Sequence, residues 1–167
     1  IHQILITSST LSSSKILKNF NFKKTIHQFY PIDHMFITRK FLNYWKPNSA
    51  IFIESEIWPC MFKGLKKRKV PLILLNARIT KKTFRKWIKI KYFSREIFNK
   101  ITIAFPQNLE TKLFLKKLKP NKIKTIGNLK FTENDDKRYN DINPKLKSQF
   151  KSKKIWVASS THPSEEI

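Results

Sequence analysis

The sequence predicts an α/β fold, a Rossmann-like parallel sheet with helices on both faces. Three observations carry that expectation. Short apolar runs recur along the chain, and basic amphipathic stretches separate them, which is the pattern of strands alternating with helices. The chain has 167 residues, of which 40 % are hydrophobic and 13 % aromatic, enough to bury the core of one ordinary domain. No internal repeat and no Pro/Gly/Ser-rich linker divides it. Strand–helix–strand units close with right-handed crossovers, which build a parallel sheet between helical layers.

The elements follow in order. Ile1–Thr7 reads as a strand, Ser12–Asn19 as a short helix and Thr25–Tyr30 as a weaker strand. Met35–Trp45 has helical spacing, with Phe36, Phe41 and Leu42 on a shared face. Ala50–Ile53 is a short buried strand. Trp58–Lys69 is a helix, and its closing Lys66-Lys67-Arg68-Lys69 suits the negative end of a helix dipole. Val70–Leu75 is the clearest strand, because it is apolar throughout. Thr80–Lys100 is mostly helical and strongly basic. Ile101–Phe105 is a strand, and Asn108–Leu118 a helix with Asn108 as N-cap. Ile123–Ile126 and Ile155–Ser159 are the last strands, and Thr132–Asn143 between them is a polar loop.

Composition excludes several classes of chemistry. Gly64 and Gly127 are the only glycines, so there is no P-loop, no G-x-G-x-x-G fingerprint and no G-x-S-x-G nucleophile elbow. Cys60 is the only cysteine, which rules out a disulfide within the chain and a multi-cysteine zinc site, and suits a reducing compartment. His2, His27 and His34 show no metal-ligand spacing. No apolar run reaches the roughly 18 residues that a membrane-spanning helix needs.

Lys and Arg number 35 against 11 Asp and Glu, a net charge of +24. Three readings of that charge stand side by side. A polyanion such as nucleic acid would be drawn to it by counterion release. An anionic membrane surface would attract it as well. A chain rich in Lys, Ile, Asn and Phe can also carry lysine simply as a solvated face.

In an open parallel sheet, ligands bind outside the carboxyl ends of the strands. Glu54-Ser55-Glu56-Ile57-Trp58-Pro59 follows Ala50–Ile53, and two carboxylates at one strand end are a signal in a chain so short of acids. Glu56 has a second reading, as the anion at the N-terminus of the following helix. Asn76-Ala77-Arg78-Ile79 follows Val70–Leu75. There, Asn76 can hold a loop, and the Arg78 fork can meet a phosphate or carboxylate. Gly127-Asn128-Leu129-Lys130-Phe131 opens with a residue free to take a tight turn. Ser159-Ser160-Thr161-His162 is a small-hydroxyl cluster that can bind an anion, although a lone histidine such as His162 is more often structural.

Taken in order, these pieces resemble one family. Glu54-Ser-Glu-Ile-Trp-Pro59, Asn76-Ala-Arg-Ile79, Gly127-Asn-Leu-Lys-Phe131 and Ser159-Ser-Thr-His162 with Glu165-Glu166 are similar to motifs of the 3-deoxy-D-manno-octulosonic acid (Kdo) transferases of lipopolysaccharide synthesis. Thr7-Ser-Ser-Thr10 and Pro31-Ile-Asp33 fit the same family, so the match covers nearly the whole chain. Ser13 and Ser164 stand where many members have glycine.

The resemblance implies the N-terminal half of a GT-B glycosyltransferase. Residues 1–154 would be its acceptor-binding domain, and residues 155–167 the last strand and the start of the connection to a donor-binding domain. It implies transfer of Kdo from CMP-Kdo to the lipid A precursor, lipid IVA, at the cytoplasmic face of a Gram-negative inner membrane. Neither a cofactor nor a metal is implied, and no nucleic acid is expected as partner. Glu54 and Lys130 match the residues that support the transition state in the family. Thr10, Glu56, Asn76, Arg78 and His162 are the expected substrate-binding residues. The family's general base is a glutamate preceding the stretch that matches Ile1, and its CMP-binding segments follow the stretch that matches Ile167. The chain alone is therefore expected to be inactive. The alternatives are a basic nucleic-acid-binding α/β module and a non-catalytic remnant.

Overall fold

The structure, a computed structural model, describes residues 3–20 and 22–131. The strand expected at Ile155–Ser159, the loop expected at Thr132–Asn143 and His162 lie outside the described residues. The chain divides into two compact units, Ile1–Leu129 and Lys130–Ile167.

The first unit alternates strand and helix. It runs β1 (Ile4–Ser8), α1 (Leu11–Asn19), β2 (Thr25–Phe29), α2 (Met35–Trp45), β3 (Ala50–Ile53) and α3 (Pro59–Lys67). It continues through β4 (Leu72–Ala77), α4 (Lys81–Lys89), α5 (Lys91–Phe98), β5 (Ile103–Pro106) and α6 (Leu109–Leu118). A single 3-10 turn follows at Leu129–Phe131. Every described strand pairing is parallel. The pairing falls into two ladders, β1–β2 and β3–β4–β5. The fold is thus α/β, parallel strands flanked by helices, as the alternation predicts.

β4 is central in its ladder, which accounts for its near-continuous apolar sequence. Leu72 and Leu74 are fully buried. Beside them Phe52 of β3 meets Phe62 of α3 edge to face, with ring centroids 4.9 Å apart. Met61, Leu65, Ile97, Phe98, Leu115 and Leu118 complete this core from α3, α5 and α6. Gly64 permits the close approach of α2 to α3, because a Cβ there would stand 2.8 Å from Leu42 Cδ1.

Three expectations need correction. Phe36 does not share the buried face of α2; it is 63 % exposed, and Thr38 and Leu42 are the buried pair. Those two are four residues apart and lie one above the other, whereas Phe36 sits around the helix. Ala50–Ile53 is a strand but not a buried one, since of its four residues only Phe52 is buried and Ile51 and Ile53 are exposed. The Thr80–Lys100 stretch is mostly helical as expected, divided into α4 and α5 at Ile90, where φ and ψ are −108° and 51°. Ile123–Ile126 makes only an isolated bridge from Ile123 to Ala104. Ala104 N–H donates to Lys122 O at 2.8 Å and Lys124 N–H to Ala104 O at 3.0 Å. The next rung would need an N–H from residue 106, and that residue is Pro106.

The cap expected at Asn108 is present, and Thr80 caps α4 in the same way. Asn108 Oδ1 accepts from Thr111 N–H at 2.8 Å at the start of α6. Thr80 Oγ1 does the same for Thr83 N–H at 3.2 Å on α4. α4 packs through Phe84, stacked 4.2 Å from Phe114, and through Trp87, edge-on to Phe98 at 5.3 Å. Trp87 is therefore tied to the core, while Tyr92 and Phe93 are exposed.

Replacing Gly64 by Val puts a branched side chain where Leu42 already sits. Gly64→Val is expected to destabilise the fold by about 1–3 kcal/mol, the usual scale for overpacking. Chemical denaturation compared with wild type measures it.

Candidate active site

The carboxyl ends of β3 and β4 are built from strained backbone. Glu54 has φ 59° and Asn76 has φ 49°, both in the left-handed region. Asn tolerates that region, whereas Glu rarely enters it. Each such residue costs about 1–3 kcal/mol and persists only where its surroundings over-determine it. Here the surroundings do. Glu54 N–H donates to Leu75 O at 3.0 Å, and Arg78 N–H donates to Glu54 O at 3.2 Å. The Ser55 hydroxyl donates to Arg78 O at 2.8 Å. Between those bonds the β4–β5 register shifts at Leu74/Ala77, so Asn76 sits in a bulge.

Asn76 is buried at 3 % exposure, and its Oδ1 accepts from Leu129 N–H at 3.3 Å. That bond ties β4 to the turn that begins at Gly127, whose φ is +89°. The stretches around Glu54 and Asn76–Arg78 are thus joined by main-chain bonds and the Ser55 hydroxyl, and Gly127–Leu129 joins them through the Asn76 side chain. β4 ends at Ala77, two residues beyond the Leu75 that the sequence suggests, so Asn76 belongs to the strand itself. Arg78 is held by its backbone and lies on the exposed side.

Glu56 is exposed, and its Oε2 accepts from Trp58 Nε1–H at 2.6 Å. It does not cap α3. The N-cap of α3 is Trp58, which has no side-chain oxygen, and Pro59 takes the first helical position. The first open N–H groups are instead met from β2–α2. Asp33 Oδ2 accepts from Cys60 N–H at 3.0 Å and Asp33 Oδ1 from Met61 N–H at 2.9 Å. The sequence reading of strand ends assigned Asp33 no role. The available signal was a helix opening on Trp-Pro with no Ser, Thr, Asp or Asn at its own cap position.

Tyr30 lies beside this turn, with its ring 4.8 Å from that of Trp58. Its hydroxyl is buried without a hydrogen-bond partner among the described residues. Burial, and after it the charges of Asp33 and Glu56, push the phenol far above its ordinary pKa, so it stays protonated. Burial and Asp33 also raise the Cys60 thiol, against the opposing pull of Lys63, so Cys60 is not an activated nucleophile.

Thr10 stands after β1 and caps α1. Its Oγ1 accepts from Ser13 N–H at 3.2 Å and lies 2.8 Å from Ser13 Oγ. Lys130 is exposed on the 3-10 turn and belongs to the second unit. Among the described residues no three His, Cys, Asp or Glu side chains stand together as a metal site, and no helix is long and apolar enough to cross a membrane. The arrangement can hold a carboxylate at a fixed place on a strand end, where it can accept a hydrogen bond from a ligand hydroxyl and orient it.

Residues 1–133 match the sequence profile of a family described as 3-deoxy-D-manno-octulosonic-acid transferase (kdotransferase). The chain is 39 % identical over 167 residues to a 3-deoxy-D-manno-octulosonic acid transferase of Rickettsia felis, covering 98 % of this chain and 35 % of that protein. It is 35 % identical over 164 residues to the one from Rickettsia bellii, covering 98 % and 39 %. With the one from Haemophilus influenzae it shares 28 % identity over 166 residues, covering 98 % and 39 %. The chain therefore spans about a third of the length of the curated relatives it matches, 35 % of the first.

Asn76 separates two contributions, its side-chain bond and its tolerance of a left-handed backbone. Asn76→Gly and Asn76→Ala both lose the bond to Leu129, but alanine keeps a Cβ at positive φ without asparagine's tolerance of that region, whereas glycine adopts it freely. The alanine variant is expected to be less stable than the glycine variant by about 1 kcal/mol, read from their denaturation midpoints.

Proposed function

We propose, because the chain belongs to the 3-deoxy-D-manno-octulosonic acid (Kdo) transferase family, that the full-length protein transfers Kdo from CMP-Kdo to lipid IVA in lipopolysaccharide synthesis. The observation that carries this reading is the Glu54 carboxylate on a pinned, left-handed strand end, joined by hydrogen bonds to the Asn76–Arg78 stretch. In this reading, residues 1–154 form the acceptor-binding half of a GT-B enzyme, whose donor-binding half follows.

The reaction forms a bond from an acceptor hydroxyl oxygen to the anomeric carbon of Kdo and breaks the bond from that carbon to the CMP phosphate. The hydroxyl proton passes to a general base contributed by the segment that precedes this chain in the family. CMP leaves with the electron pair of the broken bond and carries negative charge. Glu54 accepts a hydrogen bond from the attacking sugar and fixes its direction. Lys130 offsets charge on the donor's carboxylate or phosphate. Glu56, Asn76, Arg78, Thr10 and His162 contribute to substrate binding, Asn76 by holding the strand end in shape. No metal is part of this reading, in which Glu54 and Lys130 are the charged side chains that act on the substrates.

The basic surface fits the same reading. α4 and α5 carry Lys81, Lys82, Arg85, Lys86, Lys89 and Lys91, with exposed Tyr92 and Phe93 close by. Such a surface suits the cytoplasmic face of an anionic inner membrane and a phosphorylated lipid acceptor. The full-length protein is expected to bind anionic vesicles more tightly than neutral ones at low salt in a sedimentation assay. Equal binding contradicts this part of the proposal.

Glu54→Gln and Lys130→Ala are each expected to lower turnover of CMP-Kdo with lipid acceptor by at least about 10²-fold, the scale for losing a positioned group. Steady-state kinetics of the full-length variants measure it. A variant that turns over like wild type removes its residue from the site.

A further inference from the structure

The turn that bears Glu54 and Glu56 is fixed at both ends. At one end the β3–β4 ladder holds Glu54 through Leu75 O and Arg78 N–H. At the other, the first turn of α3 is held by Asp33, a residue from the connection between β2 and α2 and 27 positions distant from Cys60. Both carboxylate oxygens of Asp33 are engaged, one on Cys60 N–H and one on Met61 N–H. A carboxylate on helix N–H groups makes strong, charge-assisted bonds and meets the positive end of the helix dipole. The same connection supplies Tyr30, whose ring lies against Trp58, and Trp58 holds Glu56 through its indole N–H.

We propose that Asp33 is a positioning residue for catalysis, clamping the start of α3 so that the acidic turn stays in register with the end of β4. This rests on the function proposed above. Asp33 acts through the main chain and touches neither donor nor acceptor. An ordinary helix cap would contribute stability alone, and the two roles make different predictions.

The test uses the full-length protein in three variants. Asp33→Ala removes both acceptors. Asp33→Asn keeps one, since its amide oxygen can still accept from one of the two N–H groups. Lys63→Gly, at an exposed position in α3, weakens the helix and leaves both Asp33 acceptors and their N–H partners in place. Amide exchange of the peptide covering residues 54–62 is measured alongside kcat and KM, well below every melting temperature. Asp33→Ala is expected to speed exchange in that peptide and to lower kcat by at least about tenfold. Its KM for CMP-Kdo should stay within about twofold of wild type, because the site displaced is the acceptor's. Asp33→Asn should fall between it and wild type, and it alone decides the matter if the alanine variant does not fold. Lys63→Gly should lose melting temperature and keep kcat. Faster exchange with unchanged kcat overturns the positioning role, and unchanged exchange overturns the clamp itself. Loss of kcat in Lys63→Gly equal to that in the Asp33 variants also overturns it, by making helix stability the cause. Absence of Kdo transfer by the wild-type protein is a separate result. It contradicts the function proposed above and removes the positioning role with it.

Discussion

The site depends on one constraint: two neighbouring strands end in left-handed backbone, and the hydrogen-bond ladder between them holds both in place. Glu54 and Asn76 together cost about 2–6 kcal/mol of conformational strain at the general rate for such residues. The core beneath them offsets this. Phe52, Leu72 and Leu74 are all buried, and each such side chain stabilises by about 1.5–3 kcal/mol relative to exposure. The strand ends can therefore hold an unfavourable geometry because the strand middles are well packed. The geometry also does something specific. It ends β3 in a turn, while Glu54 stays bonded to β4 at its N–H and to Arg78 at its C=O.

The acids are few, and their placement is uneven. Of the 11 in the chain, Asp33, Glu54 and Glu56 gather around the β3–α3 turn. The exposed Lys81–Glu110 pair, 3.8 Å apart, contributes little at such a distance from its core and in water. Elsewhere the surface is dominated by lysine. Such a field draws anionic molecules over long range and leaves the acidic turn as a local exception within it.

Much of this was legible in the sequence, because it rests on local pattern. The apolar run of β4, the helical spacing of α2, and the cap at Asn108 depend on residues close together in the chain. The position of Glu54 and Asn76 at strand ends was legible for the same reason. Other features depend on partners far apart. Nothing in a glutamate signals a left-handed backbone, so the strain at Glu54 emerges only once β4 is beside it. The bulge at Asn76 depends on the register of β5. The expected strand at Ile123–Ile126 failed because Pro106, on another element, withholds the N–H that the next rung requires. Asp33 carried no recognisable role, since its partners Cys60 and Met61 lie on a later helix.

In the function proposed above, the acceptor sugar sits at the carboxylate of Glu54, whose main chain is pinned by β4. The most direct measurement is a crystal structure of the full-length protein with the acceptor's sugar headgroup bound. The account predicts a sugar hydroxyl oxygen within about 3 Å of a Glu54 carboxylate oxygen, with the left-handed turn unchanged. A headgroup bound away from the ends of β3 and β4, with the Glu54 carboxylate facing only water, would contradict it.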